Sequence, residues 1–237
     1  RAEASIEESA DLTFTEITTI VDAIAHEYKP IIVLTGGEPL YRKDIFDIAS
    51  FIHKKEIPVA LATNGTLITE AIANQIKESG IRRVSISIDA GTETLHDEIR
   101  GIPGSFNKAI NGAKLLQQHE IEFQFNTTIT KSNVHEIHKI VSLSKDLGAK
   151  AIHYFLLVPV GCGVEISEDE MISNEKYEKV LKELYAISKE EDLEIKATCA
   201  PHYYRIIRQE AKKEGRSLTF ESDGLAAVTK GCLAGTG

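Results

Sequence analysis

Apolar residues in this chain gather in short, β-branched runs separated by longer stretches of helical period. The runs are Ile31 to Leu34, Val59 to Ala62, Val84 to Ile88, Phe123 to Thr128 and Ala151 to Val158. They continue without strict alternation, which suits parallel strands covered on both faces or lining a barrel wall. Between them the helical segments carry start and stop signals. Thr13-x-x-Glu16 reads as a capping box ahead of Ile17, Ile20, Val21 and Ile24, and Asn133-x-x-Glu136 reads the same way ahead of Ile137, Ile140 and Val141. Gly80 and Gly148 stand where a helix end takes a left-handed residue. Strand starts near residues 31, 58, 83, 122 and 151 thus alternate with helices, which predicts a parallel α/β sheet, open or barrel-like.

From about Ser173 the pattern changes. A long charged helix from Asn174 to about Glu190 leads to a short strand-like segment, Leu193 to Thr198, then to a polar helix bearing aromatics and a glycine-rich end. The chain is therefore expected to divide into a core over 1–172 and an extension over 173–237 outside the repeat. At 237 residues there is enough chain for one sizeable core. A net charge of −9 argues against a nucleic-acid partner, which needs a basic face. No stretch approaches the ~20 apolar residues of a membrane span, and the residues after Arg1 have no apolar leader core, so neither membrane nor secretory routing is expected. Cys162, Cys199 and Cys232 are spaced too widely for a disulfide framework or a CxxC knuckle.

Three segments at strand ends carry the candidate chemistry. Thr35-Gly36-Gly37-Glu38-Pro39 follows the first run: two glycines let a ligand approach the backbone, Glu38 adds a carboxylate, and Pro39 stiffens the turn. Ala62-Thr63-Asn64-Gly65 follows the second run; it is an ordinary turn by itself and gains weight from lying at the same rim. The third is Ser85 to Gly91 with the downstream His96 to Gly101. Here Asp89 or Ser87 is suited to a ribose hydroxyl, and Arg100 to a carboxylate, although Asp89 also suits a local turn cap. In βα folds ligands bind at this carboxyl end of the strands.

Taken together these segments resemble the radical S-adenosylmethionine (SAM) superfamily, over residue 13 to about 160. The resemblance implies a partial (β/α)6 TIM-like barrel with a C-terminal helical extension. It implies SAM bound by Gly36, Gly37, Glu38, Pro39, Thr63, Asn64, Ser87, Asp89, Arg100, Asn126 and Val158. The segments Phe155 to Gly161, Thr198 to Arg205 and Lys230 to Gly237 look like the haem-biosynthesis branch, with a SPASM or Twitch-type extension. On that likeness Cys232, and less directly Cys199, would ligate an auxiliary 4Fe–4S cluster.

The superfamily's CxxxCxxC loop, which holds the SAM-binding 4Fe–4S cluster, is expected just upstream of Arg1, and further auxiliary-cluster cysteines beyond Gly237. The chain is accordingly expected to be a piece of a longer one. In the family, reductive cleavage of SAM yields a 5′-deoxyadenosyl radical, and the protein supplies orientation and excludes water. The resemblance implies an iron tetrapyrrole substrate, an electron donor and a reducing cytoplasm. His202, Tyr203, Arg205 and Arg208, with Lys230, are the expected contacts for substrate carboxylates; residues 202, 205 and 209 would share one helix face. The preferred reaction is acetate removal from didecarboxysiroheme. Decarboxylation of iron-coproporphyrin III to haem, peptide maturation, and a barrel that only binds SAM or a tetrapyrrole are the alternatives. An aldolase would want a strand-end lysine, for which Lys196 is the sole candidate. His135 and His138 read as a solvated helix face.

Overall fold

The structure, a computed structural model, describes residues 11–160 and 163–219. Within them α1 (Phe14–Glu27) precedes β1 (Ile32–Leu34), α2 (Ile45–Lys54), β2 (Val59–Thr63), α3 (Glu70–Glu78) and β3 (Ile81–Ser87). Next come α4 (Glu93–Arg100), α5 (Ser105–Gln118), β4 (Glu122–Ile129), α6 (Ile137–Asp146) and β5 (Ala151–Leu156). The last elements are α7 (Gly163–Glu170), α8 (Asn174–Glu190), β6 (Glu194–Thr198) and α9 (His202–Lys213). The strands form a single sheet in the order β1-β2-β3-β4-β5-β6, every neighbouring pair parallel. β1 and β6 remain edges, so the sheet is a partial barrel not closed by hydrogen bonds.

Local signals account for several element ends. Thr13 Oγ1 accepts from Glu16 N while a Glu16 carboxylate oxygen accepts from Thr13 N at 2.8 Å, a complete capping box for α1. Gly80 and Gly148 follow their helices at φ 79° and 75°. The second proposed box does not form. Asn133 makes no cap bond; its side chain is buried and ties loops together, as described below.

Two corrections follow from the sheet. The segment after 173 contributes β6, which pairs with β5 from Ala151↔Glu194 to Phe155↔Thr198, so α8 and β6 form a sixth βα unit rather than lying outside the repeat. The charged sequence of α8 had disguised this, because its outer face is solvated while Val180, Leu181, Leu184 and Ile187 are buried. The strands also alternate more than their runs suggested. Val84 and Ile86 of β3, Phe123 and Phe125 of β4, and Ile152, Tyr154 and Leu156 of β5 are buried in two apolar clusters with the helices. Their neighbours along each strand point the other way and are largely polar: Arg83, Ser85, Ser87; Gln124, Asn126, Thr128; His153. Helices thus cover one face of the sheet, and its other face is a polar floor across β3, β4 and His153 of β5, with Val33, Ala60, Ala62 and Phe155 its apolar members.

Candidate functional site

The site starts where β1 ends. Gly36 adopts φ 158°, a backbone setting that L side chains rarely take, and a Cβ there would meet nothing within 4 Å. The turn is open where that side chain would stand. Glu38 caps a short 3₁₀ turn, Pro39–Tyr41, whose first residue is the buried Pro39. The Glu38 carboxylate reaches across to the end of β2. Its Oε1 accepts from Thr63 Oγ1 at 2.6 Å and from Leu40 N at 3.2 Å, and its Oε2 accepts from Asn64 N at 2.8 Å. One side chain therefore locks the first two rim loops together through charge-assisted hydrogen bonds.

At the second loop Asn64 Oδ1 accepts from Thr66 N and Thr66 Oγ1 at 2.8 and 2.7 Å, an Asx turn. Gly65 follows at φ 77°, and an added Cβ would lie 2.8 Å from Ile86 Cγ2. Both φ and space demand glycine here, because the loop packs directly on β3.

The third loop departs from expectation at Asp89. Its side chain is 7% exposed, pairs with Arg100 Nη2 at 2.7 Å through Oδ2, and accepts from Thr128 N at 3.1 Å through Oδ1. Its backbone N–H donates to His96 Nδ1 at 3.1 Å, and its carbonyl accepts from Asn133 Nδ2 at 2.8 Å. Asp89 and Arg100, both expected at the cofactor, hold each other. Asn133 is fully buried; Nδ2 also reaches Thr128 O at 2.7 Å and Oδ1 accepts from Thr130 N at 2.8 Å. With Glu136 accepting from Gly91 N at 3.2 Å, this residue knits the rim loops after β3 and β4. Burial, and next the Arg100 charge, push the His96 imidazole down to about 4, so it stays a neutral acceptor for the Asp89 N–H.

Ser87 and Asn126 lie side by side on the polar floor and are both half-buried. Val158 sits in the loop after β5, its carbonyl accepting from Val160 N at 2.9 Å. Gly36, Glu38, Asn64, Ser87 and Asn126 all stand at or just below the carboxyl ends of successive parallel strands.

The residues expected at the substrate lie on α9, the helix that follows β6. Tyr203 is buried in the apolar cluster behind the sheet, and burial raises its hydroxyl to about 12. Arg205 forms an ion pair with Glu178 of α8 and donates to Gln209 Oε1 at 3.1 Å. His202 is exposed and sets its ring edge-on to Tyr177, 6.2 Å between centroids. The physical reason is that α9 buries its Tyr203 and Ile206 stripe against α8, which turns Arg205 to α8 as well. Residues 202, 205 and 209 do share a face, and Arg208 lies beside Lys212 and Arg216 at the helix end. His135, in the 3₁₀ turn Val134–Glu136, and His138, on α6, are both exposed, as expected of a solvated face.

Among the described residues no group of three or more His, Cys, Asp or Glu is placed to hold a metal ion, so no cluster step is assigned to them. Cys199 is exposed after β6 at φ 56°. Cys162, Cys232 and Lys230 fall outside the described residues. No helix of the described residues is long and apolar enough to cross a membrane. Sequence reasoning passed over Gln124 and His153, whose available signal was a polar residue at every second position of an otherwise apolar strand, and took Asn133 for a helix cap.

A parallel partial barrel with helices behind it and polar, glycine-bearing loops at its carboxyl rim defines a small-molecule-binding α/β protein. The chain belongs to the radical SAM superfamily, whose description matches residues 4–144. Members of that superfamily use SAM and a 4Fe–4S cluster. Among curated relatives, "AdoMet-dependent heme synthase" of Methanosarcina barkeri is 45% identical over 97% of this chain and 65% of its own length. The protein of that name from Nitratidesulfovibrio vulgaris is 43% identical over 100% and 65%. "Fe-coproporphyrin III synthase" of Methanosarcina barkeri is 32% identical over 74% and 44%. The chain thus spans under two thirds of the length of these relatives. Among solved structures, "Native anSMEcpe with bound AdoMet and Kp18Cys peptide" superposes with a TM-score of 0.65 at 19% identity, over 92% of this chain and 64% of that one, which establishes the shared fold.

Proposed function

We propose that this chain is the SAM-binding barrel of a haem-biosynthesis enzyme that removes carbon dioxide from the propionate side chains of an iron coproporphyrin. The observation that carries this reading is the 43–45% identity to haem synthases along nearly the whole chain, against 32% to the Fe-coproporphyrin III synthase. Of the two haem-pathway reactions expected from the resemblance, decarboxylation is therefore favoured over acetate removal.

The rim fits SAM. Open backbone at Gly36 and Gly37 would meet the amino acid end, and Thr63 and Asn64, positioned by Glu38, the neighbouring part. Ser87 and Asn126 on the floor would meet the ribose, and the Val158 loop the adenine. Asp89 and Arg100 act through each other, fixing the third loop. Bound there beside its cluster, SAM would supply hydrogen-atom abstraction from the propionate chain, the chemistry that loss of carbon dioxide and transfer of one electron to an acceptor would complete. The residues named here would orient SAM against the floor. The reading carries with it an electron donor and a cytoplasmic, reducing setting.

Mass spectrometry tests it. Full-length protein, anaerobically reconstituted and reduced with dithionite, is given SAM and either iron-coproporphyrin III or didecarboxysiroheme. Stepwise loss of carbon dioxide with two hydrogens from the coproporphyrin is the expected result. Acetate loss from the sirohaem derivative would restore the deacetylase, and turnover of neither would end the haem reading.

A further inference from the structure

The polar floor carries a second group that the SAM positions leave unused. Pairing between strands puts Ser87, Asn126, His153 and Lys196 in one row across β3, β4, β5 and β6. At the usual spacing of about 4.8 Å per strand, His153 stands about 10 Å from Ser87 and Lys196 about 14 Å from it. These two residues thus begin where the ribose positions stop.

Hydrogen bonding decides which ring atom of His153 is offered. Gln124 Nε2 lies 3.0 Å from Asn126 Oδ1 and 3.0 Å from His153 Nδ1. An amide nitrogen has two hydrogens, one for each, so Nδ1 is the acceptor and the ring proton sits on Nε2. That Nε2–H is shielded from solvent and has no acceptor among the described residues. A desolvated donor of this kind is costly unless a ligand or a trapped water completes it. Burial first, and the nearby Lys196 charge second, lower the pKa of His153 and favour the neutral ring.

A lysine and its paired glutamate stand beside it. Lys196 pairs with Glu194 at 2.7 Å while remaining 56% exposed. Arg83 binds Glu122 at 3.0 Å and approaches Glu194 at 3.8 Å, so Glu194 is shared between Arg83 and Lys196, and the single bond to Glu194 leaves the exposed ammonium two further hydrogens to donate. A donor N–H next to an accessible ammonium is suited to a carboxylate: one oxygen can take the imidazole hydrogen and the other the ammonium.

We propose that His153 Nε2–H and Lys196 form a subsite for one side-chain carboxylate of the tetrapyrrole, holding it against the floor beside the SAM positions. This rests on the functional reading above. A carboxylate seated there fixes the macrocycle's rotation, and with it which side chain faces SAM. His153 and Lys196 are positioning residues and take no part in bond breaking.

The test uses the full-length, cluster-loaded protein and three variants: His153→Phe, which removes the donor, His153→Gln, which keeps an N–H at similar reach, and Lys196→Gln. Iron-coproporphyrin III binding is followed by Soret absorbance and SAM binding by equilibrium dialysis; iron etioporphyrin, a macrocycle without carboxylates, serves as the control probe. His153→Phe and Lys196→Gln are each expected to raise the coproporphyrin Kd about tenfold. His153→Gln should retain near-wild-type affinity, and all three should leave SAM and etioporphyrin affinity unchanged. Wild-type binding of coproporphyrin that both His153→Phe and Lys196→Gln keep overturns the subsite and spares the functional reading. An equal loss for etioporphyrin, or a loss of SAM binding, overturns it too, since that marks general damage to the floor. Failure of the wild type to bind coproporphyrin removes both.

Discussion

The Glu38 clamp gives the sharpest prediction about the rim. Glu38→Gln keeps one carbonyl oxygen for the Asn64 N–H at 2.8 Å, but it places an NH2 where the carboxylate now accepts from Thr63 Oγ1 and Leu40 N. The threonine hydroxyl can reverse and become the acceptor; the Leu40 N–H cannot. One hydrogen bond is lost and the others lose their charge assistance. At about 1 kcal/mol per bond for a half-buried acceptor, the cost to the organised rim is about 1–2 kcal/mol. If SAM needs that rim formed, its Kd rises about 5–30-fold. A double-mutant cycle isolates the contact: SAM affinity is measured by calorimetry for wild type, Glu38→Gln, Thr63→Val and the double variant. A coupling energy of about 1 kcal/mol is expected. The thermal midpoint should move little by comparison, because the clamp lies at the rim and the main apolar core lies behind the sheet. Unchanged SAM affinity in Glu38→Gln, or a coupling within about 0.3 kcal/mol of zero, would refute the idea that this carboxylate organises the site.

Three further outcomes follow from the same geometry. His96 has a folded pKa of about 4 against 6.5 unfolded, so the unfolded chain binds the extra proton, and stability present above pH 6.5 is lost as pH falls toward 4. The full loss attributable to this group is about 3 kcal/mol; urea unfolding from pH 7.5 to 5 should show a shallower pH slope in His96→Asn, which keeps an acceptor without titrating, and parallel slopes would refute it. Asn133→Asp replaces an NH2 that donates to Asp89 O and Thr128 O with an oxygen facing two carbonyls, costing about 3 kcal/mol or more in urea unfolding; near-wild-type stability would show that the loop tie is dispensable. Gly65→Ala must fit a Cβ 2.8 Å from Ile86 Cγ2 at φ 77°, so a loss of about 1–3 kcal/mol is expected, and a stable variant with intact SAM affinity would mean that the loop moves freely.

The local sequence determined the α1 capping box, the glycine helix ends, and the order of strands and helices. It also placed Glu38, Asn64 and Ser87 at one rim, because in a parallel βα chain every loop that follows a strand emerges at the same end. Which polar groups meet was decided only by the tertiary structure. Asp89 and Arg100 looked like two ligand contacts and form a pair; Asn133 looked like a cap and is a buried tie between loops. Gln124 and His153, 29 positions apart, share a hydrogen bond only because β4 and β5 align Asn126 with His153. β6 joined the sheet although its crossover helix α8 reads as solvated. The reason is common to all four: strand register and helix facing are set by packing across crossovers, and no run of neighbouring residues encodes which side of a strand the helices will cover.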